Sequence, residues 1–198
     1  IDCAFEAKPE TKKIGLLGLQ GCLEPHTAKF AACGAETAKV LEPGQLSGLD
    51  ALVIPGGESS TMLRAASSEM WQALVLFAAH KSVWGVCAGS ILMAREVRNP
   101  QQRSLGLLDM VIERNAYGAQ NESFAAELAV AIEPAHRATY LFIRAPRIIE
   151  TGDAQVMAEH KGIPVMVRNG RHLATTFHPE LTEDLAIHRW FLANCASD

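Results

Sequence analysis

An α/β fold, with a largely parallel central sheet flanked by helices, is predicted by three observations. Short apolar runs recur along the first half of the chain, a Gly-containing loop follows each, and each loop opens into a segment with helical spacing. Strands buried on both faces read as unbroken apolar runs, and crossovers between parallel strands are usually helices. The first unit is an apolar run over residues 13–19 that ends in Gln20-Gly21 and leads to a helical segment over 25–33 carrying Phe30 and several alanines. The rhythm returns at Ala51-Leu52-Val53-Ile54, followed by Pro55-Gly56-Gly57-Glu58-Ser59-Ser60 and helical segments through His80. It returns again at 83–86, ahead of a helix expected over 88–97. Past Asp109 the pattern leans to strands, at 110–113, 124–132, 140–143, 156–160 and 163–167, so this half is expected to be a mixed or antiparallel extension of the sheet. A helix over 183–193 would close the chain, its Leu185, Ile187, Trp190 and Phe191 covering the sheet.

Length and composition narrow the possibilities. With 198 residues, 48% of them hydrophobic, the chain has the core of one domain, expected over 13–198, preceded by a flexible extension over 1–12. A net charge of -4 gives no basic stripe for nucleic acid, and no apolar run approaches the roughly 20 residues of a membrane span. The polar N-terminal segment lacks the apolar centre of a signal peptide. Five cysteines, Cys3, Cys22, Cys33, Cys87 and Cys195, have no C-x-x-C spacing, which argues against both a zinc site and a disulfide framework. A cytoplasmic protein with no metal and no cofactor is the expectation.

The chemistry is carried by three short segments. In Gly85-Val86-Cys87-Ala88-Gly89 an apolar strand turns sharply into a helix, and small residues on both sides permit the turn. The helix N-terminus behind Cys87 favours thiolate over thiol. A cysteine between glycines is on its own about as often a small buried residue as a nucleophile. Phe177-His178-Pro179-Glu180 changes the balance, because the run over 173–177 holds an imidazole and a carboxylate at a strand end, where sites on α/β sheets are found. A Cys87 thiolate can attack a carbonyl carbon while His178 moves the proton, which is acyl transfer. The tetrahedral intermediate needs donors, and the Ala88 N–H and an N–H of the Gly56-Gly57 loop are the candidates.

Taken in order, Pro55-Gly56-Gly57-Glu58-Ser59, the Cys87 elbow and Phe177-His178-Pro179-Glu180 resemble the class I, triad-type glutamine amidotransferases. Gly18-Leu19-Gln20-Gly21, Leu105-Gly106-Leu107-Leu108-Asp109, Arg114-Asn115-Ala116-Tyr117-Gly118 and Phe142-Ile143-Arg144-Ala145-Pro146 narrow the likeness to the glutaminase subunit of the ribose 5-phosphate-dependent pyridoxal 5'-phosphate synthase. The likeness spans 13–191. It implies a three-layer class I glutamine amidotransferase-like fold and hydrolysis of L-glutamine to glutamate and ammonia. Cys87 would be the nucleophile, His178 the acid/base and Glu180 the residue orienting the imidazole. Gly56, Gly57, Glu58, Arg114, Ile143 and Arg144 would hold glutamine, with Gly57 and Ala88 forming the oxyanion hole. A guanidinium suits the substrate α-carboxylate and Glu58 the α-ammonium.

The resemblance also implies a partner, a (β/α)8-barrel synthase subunit that receives the ammonia for vitamin B6 biosynthesis. One glutaminase would sit on each barrel of a dodecameric core, and docking would act through the Gln20 loop beside the oxyanion hole. Three positions depart from the family's pattern: Val86 and Ser60 stand where threonine is commoner, and Ala119 where arginine is frequent. Other readings keep the fold and change the task, among them a protease-like protein, the glutaminase of imidazole glycerol phosphate synthase, and a noncatalytic regulatory subunit.

Overall fold

The computed structural model describes residues 11–116, 123–132 and 135–195. Its frame is a seven-stranded sheet whose inner strands are the apolar runs of the sequence. These are β1 (Lys13–Leu17), β3 (Ala51–Ile54), β4 (Ser82–Val86) and β12 (His172–Thr175), with β2 (Glu36–Val40) at one edge. The order β12-β4-β3-β1-β2 is parallel throughout. On the far side of β12, the strands β11 (Ile163–Asn169) and β10 (Gln155–His160) continue the sheet antiparallel.

Side-chain alternation divides the apolar runs between two cores, one on each face. Ala51 and Val53 join Trp84, Val86, Leu173, Phe30 and Phe191 on one face. Leu52 and Ile54 join Val83, Ala174, Met62, Leu74 and Leu92 on the other. The first face is covered by α1 (Glu24–Ala32) and α5 (Ala186–Asn194), and the second by α2 (Ser59–Ala65), α3 (Ser68–His80) and α4 (Ala88–Met93). The starts of these helices follow local chemistry: Pro25 lies in the first turn of α1, and Ser67 caps α3 by accepting from the Met70 N–H at 3.1 Å.

Three expectations needed correction. The helix expected over 88–97 stops at Met93, because Ala94 is extended and the chain turns into β5 (Ala94–Arg98), which pairs parallel with β6 (Leu108–Glu113). Val97 is buried there while Arg95 and Arg98 face outward to Asp109, Glu96 and Glu150, and an irregularity in the pairing between Ala94 and Glu96 interrupts the strand's alternation, so the pairing with β6 and not the burial pattern marks the strand. The closing helix begins at Ala186, not 183, since Asp184 accepts from the Tyr140 hydroxyl at 2.6 Å and pairs with His136 at 2.8 Å instead of entering a first helical turn. Finally, only β10 and β11 extend the main sheet. With β9 (Arg147–Glu150), β5 and β6 form a separate three-stranded sheet, and β7 (Ser123–Val130) pairs with β8 (His136–Ile143) as an antiparallel hairpin. Of the extension expected over 1–12, residues 1–10 lie outside the described residues, and the Lys12 ammonium donates to the Cys195 carbonyl at 2.9 Å.

Two glycines of the elbow are fixed by the packing of α4 on β3 and β4. A Cβ on Gly89 would run into the Ile54 carbonyl oxygen, and one on Gly85 would lie 2.6 Å from the Gly89 carbonyl carbon. Both added atoms would meet backbone rather than a movable side-chain end. Gly89→Ala is therefore expected to lower stability by about 1–3 kcal/mol in urea unfolding, the usual cost of overpacking a rigid core.

Candidate functional site

Parallel pairing of β3, β4 and β12 sets three chain segments side by side. Ile54 is in register with Gly85, and Thr175 with Val86, so the loops that follow all leave from the C-terminal edge of the sheet. The Cys87 N–H donates to the Thr175 carbonyl at 2.8 Å, which carries the β4–β12 pairing one residue into the elbow. Cys87 itself has φ 49° and ψ -107°, a left-handed conformation that a non-glycine residue adopts at a cost of order 1–3 kcal/mol. The turn presents its side chain at the head of α4, directly below the loop carrying Gly56 and Gly57.

His178 leaves the end of the β12 segment, anchored by its N–H to the Leu141 carbonyl at 2.8 Å. Its Nδ1 meets Glu180 Oε1 at 2.7 Å, and the Cys87 side chain acts on the same ring. Burial by itself would push the imidazole pKa down, but the hydrogen bonds and charges of Cys87 and Glu180 outweigh it and hold the pKa up at about 10. Glu180 is pulled the other way: burial favours its neutral form, yet the His178 hydrogen bond and the nearby imidazoles keep its pKa below the usual carboxylate range. The ring is thus an imidazolium at neutral pH, flanked by a sulfur and a carboxylate. Gly56 completes the contact, because a Cβ there would lie 2.5 Å from His178 Cε1.

Around these groups opens a cleft of about 680 Å³. Every site residue that the sequence singled out lines it: Gln20, Gly56, Gly57, Glu58, Cys87, Ala88, Arg114, Ile143, Arg144, His178 and Glu180. Ala88 is the first residue of α4, and Gly57 has φ +150°. The Gln20 side chain accepts from the Glu58 N–H at 2.7 Å and packs on Gly57, tying the loop between β1 and α1 to the candidate oxyanion loop. The Cys87 thiol faces the Ile143 carbonyl at 3.8 Å. Across the mouth Arg144, itself at φ 46°, pairs with Glu58 at 3.2 Å, both half-exposed. Arg114 reaches the wall from the end of β6, its N–H bonded to the Arg98 carbonyl at 3.1 Å.

The model of the SNO glutamine amidotransferase family matches residues 16–197. The chain belongs to the SNO glutamine amidotransferase family. A family member from Pelotomaculum thermopropionicum, named pyridoxal 5'-phosphate synthase subunit PdxT, is 47% identical over 92% of this chain and 95% of its own length. A protein of the same name from Thermotoga neapolitana is 43% identical over 91% and 97%. A solved structure titled as a glutamine amidotransferase superposes with TM-score 0.84 at 39% identity, covering 91% of this chain and 97% of its own. The structure of PurLQS from Thermotoga maritima, at 16% identity and TM-score 0.71 over 92% of this chain and 98% of its own, shares the fold alone. The three-layer class I glutamine amidotransferase-like architecture expected from the sequence is the one found.

Against the family's pattern, Val86 is fully buried in the core on the α1 side of the sheet, Ser60 lies in the first turn of α2, and Ala119 falls outside the described residues. Several lining residues escaped sequence reasoning, among them Cys22, Glu24 and Leu181. They are brought in by loop packing and carry no periodic or spacing signal. Asn115 was visible only as the neighbour of Arg114. Among the described residues no helix is long and apolar enough to cross a membrane.

The charge state of His178 is directly measurable. In a ¹⁵N-histidine NMR titration the wild-type ring should stay protonated through neutral pH and titrate near 10. Removing a partner that favours the charged form lowers a pKa, so in Cys87→Ala the His178 titration should fall toward the ordinary 6.5.

Proposed function

We propose that the chain hydrolyses L-glutamine to L-glutamate and ammonia through Cys87, His178 and Glu180, and passes the ammonia to a synthase partner making pyridoxal 5'-phosphate. Residues 13–198 would act as one glutaminase domain. The observation that carries this reading is the His178 imidazole held between the Glu180 carboxylate and the Cys87 sulfur beneath Gly56. The names of the PdxT relatives support the pathway.

The mechanism follows from those contacts. The sulfur of Cys87 attacks the side-chain amide carbon of glutamine, with His178 already holding the proton that the leaving ammonia needs. Negative charge builds on the amide oxygen, which the N–H groups of Ala88 and Gly57 would receive. Loss of ammonia leaves a glutamyl thioester and a neutral imidazole. Water, deprotonated by His178, then releases glutamate and restores the imidazolium. Glu180 keeps Nδ1–H occupied throughout, so Nε2 faces the chemistry in both steps. No metal or cofactor is needed for this sequence.

Recognition of the amino acid end uses groups that are now paired with each other. The exposed Glu58–Arg144 pair contributes little by itself, so substrate can separate it at small cost: Glu58 takes the α-ammonium, and Arg144 with Arg114 takes the α-carboxylate. The Ile143 carbonyl flanks the sulfur. Gln20 acts as the coupling element. Its grip on the Glu58 N–H fixes the orientation of the Gly57 peptide, and a (β/α)8-barrel partner docking on this loop would set the donor in place. One glutaminase per barrel of a dodecameric core, in the cytoplasm, is the assembly that the resemblance implies.

The deciding experiment is glutamate release from L-glutamine by the chain with and without such a barrel subunit. Activity should rise on adding the barrel and vanish in Cys87→Ala, while Arg114→Ala should raise KM with kcat little changed. Barrel-stimulated hydrolysis that survives in Cys87→Ala would overturn the mechanism. Gln20→Ala should keep the weak activity of the free chain and lose roughly tenfold or more of the barrel-stimulated rate, the size of one misplaced oxyanion donor or larger.

A further inference from the structure

Behind the candidate triad lies a histidine for which the mechanism above has no use. His26, on α1, is fully buried, and neither ring nitrogen has a hydrogen-bond partner among the described residues. Its Nε2 lies 3.8 Å from Glu180 Oε1, the same oxygen that meets His178 Nδ1 at 2.7 Å. Glu180 Oε2 is buried without a hydrogen-bond partner among the described residues. One carboxylate oxygen is therefore flanked by two imidazoles, and the second oxygen has none.

A buried carboxylate is costly unless dipoles or charges surround it, and one side-chain hydrogen bond is few for an ion with four acceptor sites. At 3.8 Å the His26 contact is charge against dipole rather than a hydrogen bond. We propose that His26 is a positioning residue of the glutaminase site, holding the Glu180 carboxylate in the rotamer that faces His178 and supplying the second dipole that this buried anion needs. The proposal rests on the glutaminase reading above.

The surroundings fit that role. The His26 ring is walled by Trp84, edge-on at 6.1 Å, and by His188 of α5 at 5.9 Å, so it has no room to swing away. Burial pushes its pKa down against the pull of Glu180, and the His178 charge pushes the same way, so His26 stays neutral and acts through its N–H tautomer. Other titratable groups near by are His188, itself held neutral by burial, Lys29 beside His188, and Cys22, whose thiol feels the Glu180 charge from the loop before α1. Of these groups His178, hydrogen-bonded to the carboxylate, does most to keep Glu180 ionised, and a neutral His26 can add only the dipole of its N–H.

Two variants separate positioning from packing. His26→Gln keeps a donor near the place of Nε2, whereas His26→Leu fills the space without one. Assayed with the barrel subunit, His26→Leu should lower kcat about tenfold with KM for glutamine little changed. Its acid limb of kcat/KM should move up by about one pH unit, because Glu180 loses a contact that favours its charged form. His26→Gln should stay within about threefold of wild type and keep the wild-type limb. Equal losses in both variants with an unmoved limb, or no loss in His26→Leu, would overturn the proposal. If circular dichroism finds His26→Leu unfolded, His26→Met takes its place.

A second readout does not depend on activity. By ¹⁵N-histidine NMR of the free chain, the His178 titration should fall in His26→Leu and hold in His26→Gln; an unmoved His178 in His26→Leu refutes the contact. Should the wild-type complex release no glutamate, the glutaminase reading fails while this titration still decides whether His26 supports Glu180.

Discussion

The parallel pairing of β4 with β12 is the constraint on which the site depends. The two strands are separated by some of the longest sequence distances in the sheet, and the register that sets Thr175 against Val86 puts His178 within reach of Cys87. The hydrogen bond from the Cys87 N–H to the Thr175 carbonyl ties the elbow to the neighbouring strand at the point where the chain must turn. That turn stores backbone strain at Cys87, and the packing of Gly89 on Ile54 holds it in place. The rigid centre of the sheet therefore fixes the geometry, and the loops above it supply the donors and the charges.

Burial gives this geometry its chemical force. Cys87, His178 and Glu180 are each less than a tenth exposed. With little water to screen them, the Glu180 hydrogen bond and the neighbouring side chains hold a proton on His178. The recognition groups stand in the opposite environment. Glu58 and Arg144 are half-exposed, paired loosely, and free to exchange partners. A dry, preset reacting centre below a wet, adjustable rim is a division suited to an enzyme whose substrate carries its charges at one end and its reactive amide at the other.

Much of this was legible in the sequence where one physical signal dominated. The inner strands are unbroken apolar runs because both faces are covered, so 51–54 and 83–86 could be placed almost to the residue. The elbow and the glycine loop were legible because tight turns and close approaches restrict which residues can stand there. The edge strand β2 was not, since Glu36-Thr37-Ala38-Lys39-Val40 is half-solvated and carries a weak alternation. Strand β5 was missed because Ala94-Arg95-Glu96-Val97 continues a helix-compatible pattern, and only pairing with β6 turns it into a strand. His26 was invisible as a functional residue: a lone histidine on a helix face gives no signal until α1 is seen packed beside Glu180.

The central claim is that Cys87 is the activated nucleophile of a glutamine site. It is tested most directly by treating the assembled complex with an electrophilic glutamine analogue and mapping the adduct by mass spectrometry. The account predicts one adduct per chain, on Cys87, suppressed by excess L-glutamine. Label on the exposed Cys22 in place of Cys87, or no glutamine-protected adduct at all, would contradict it.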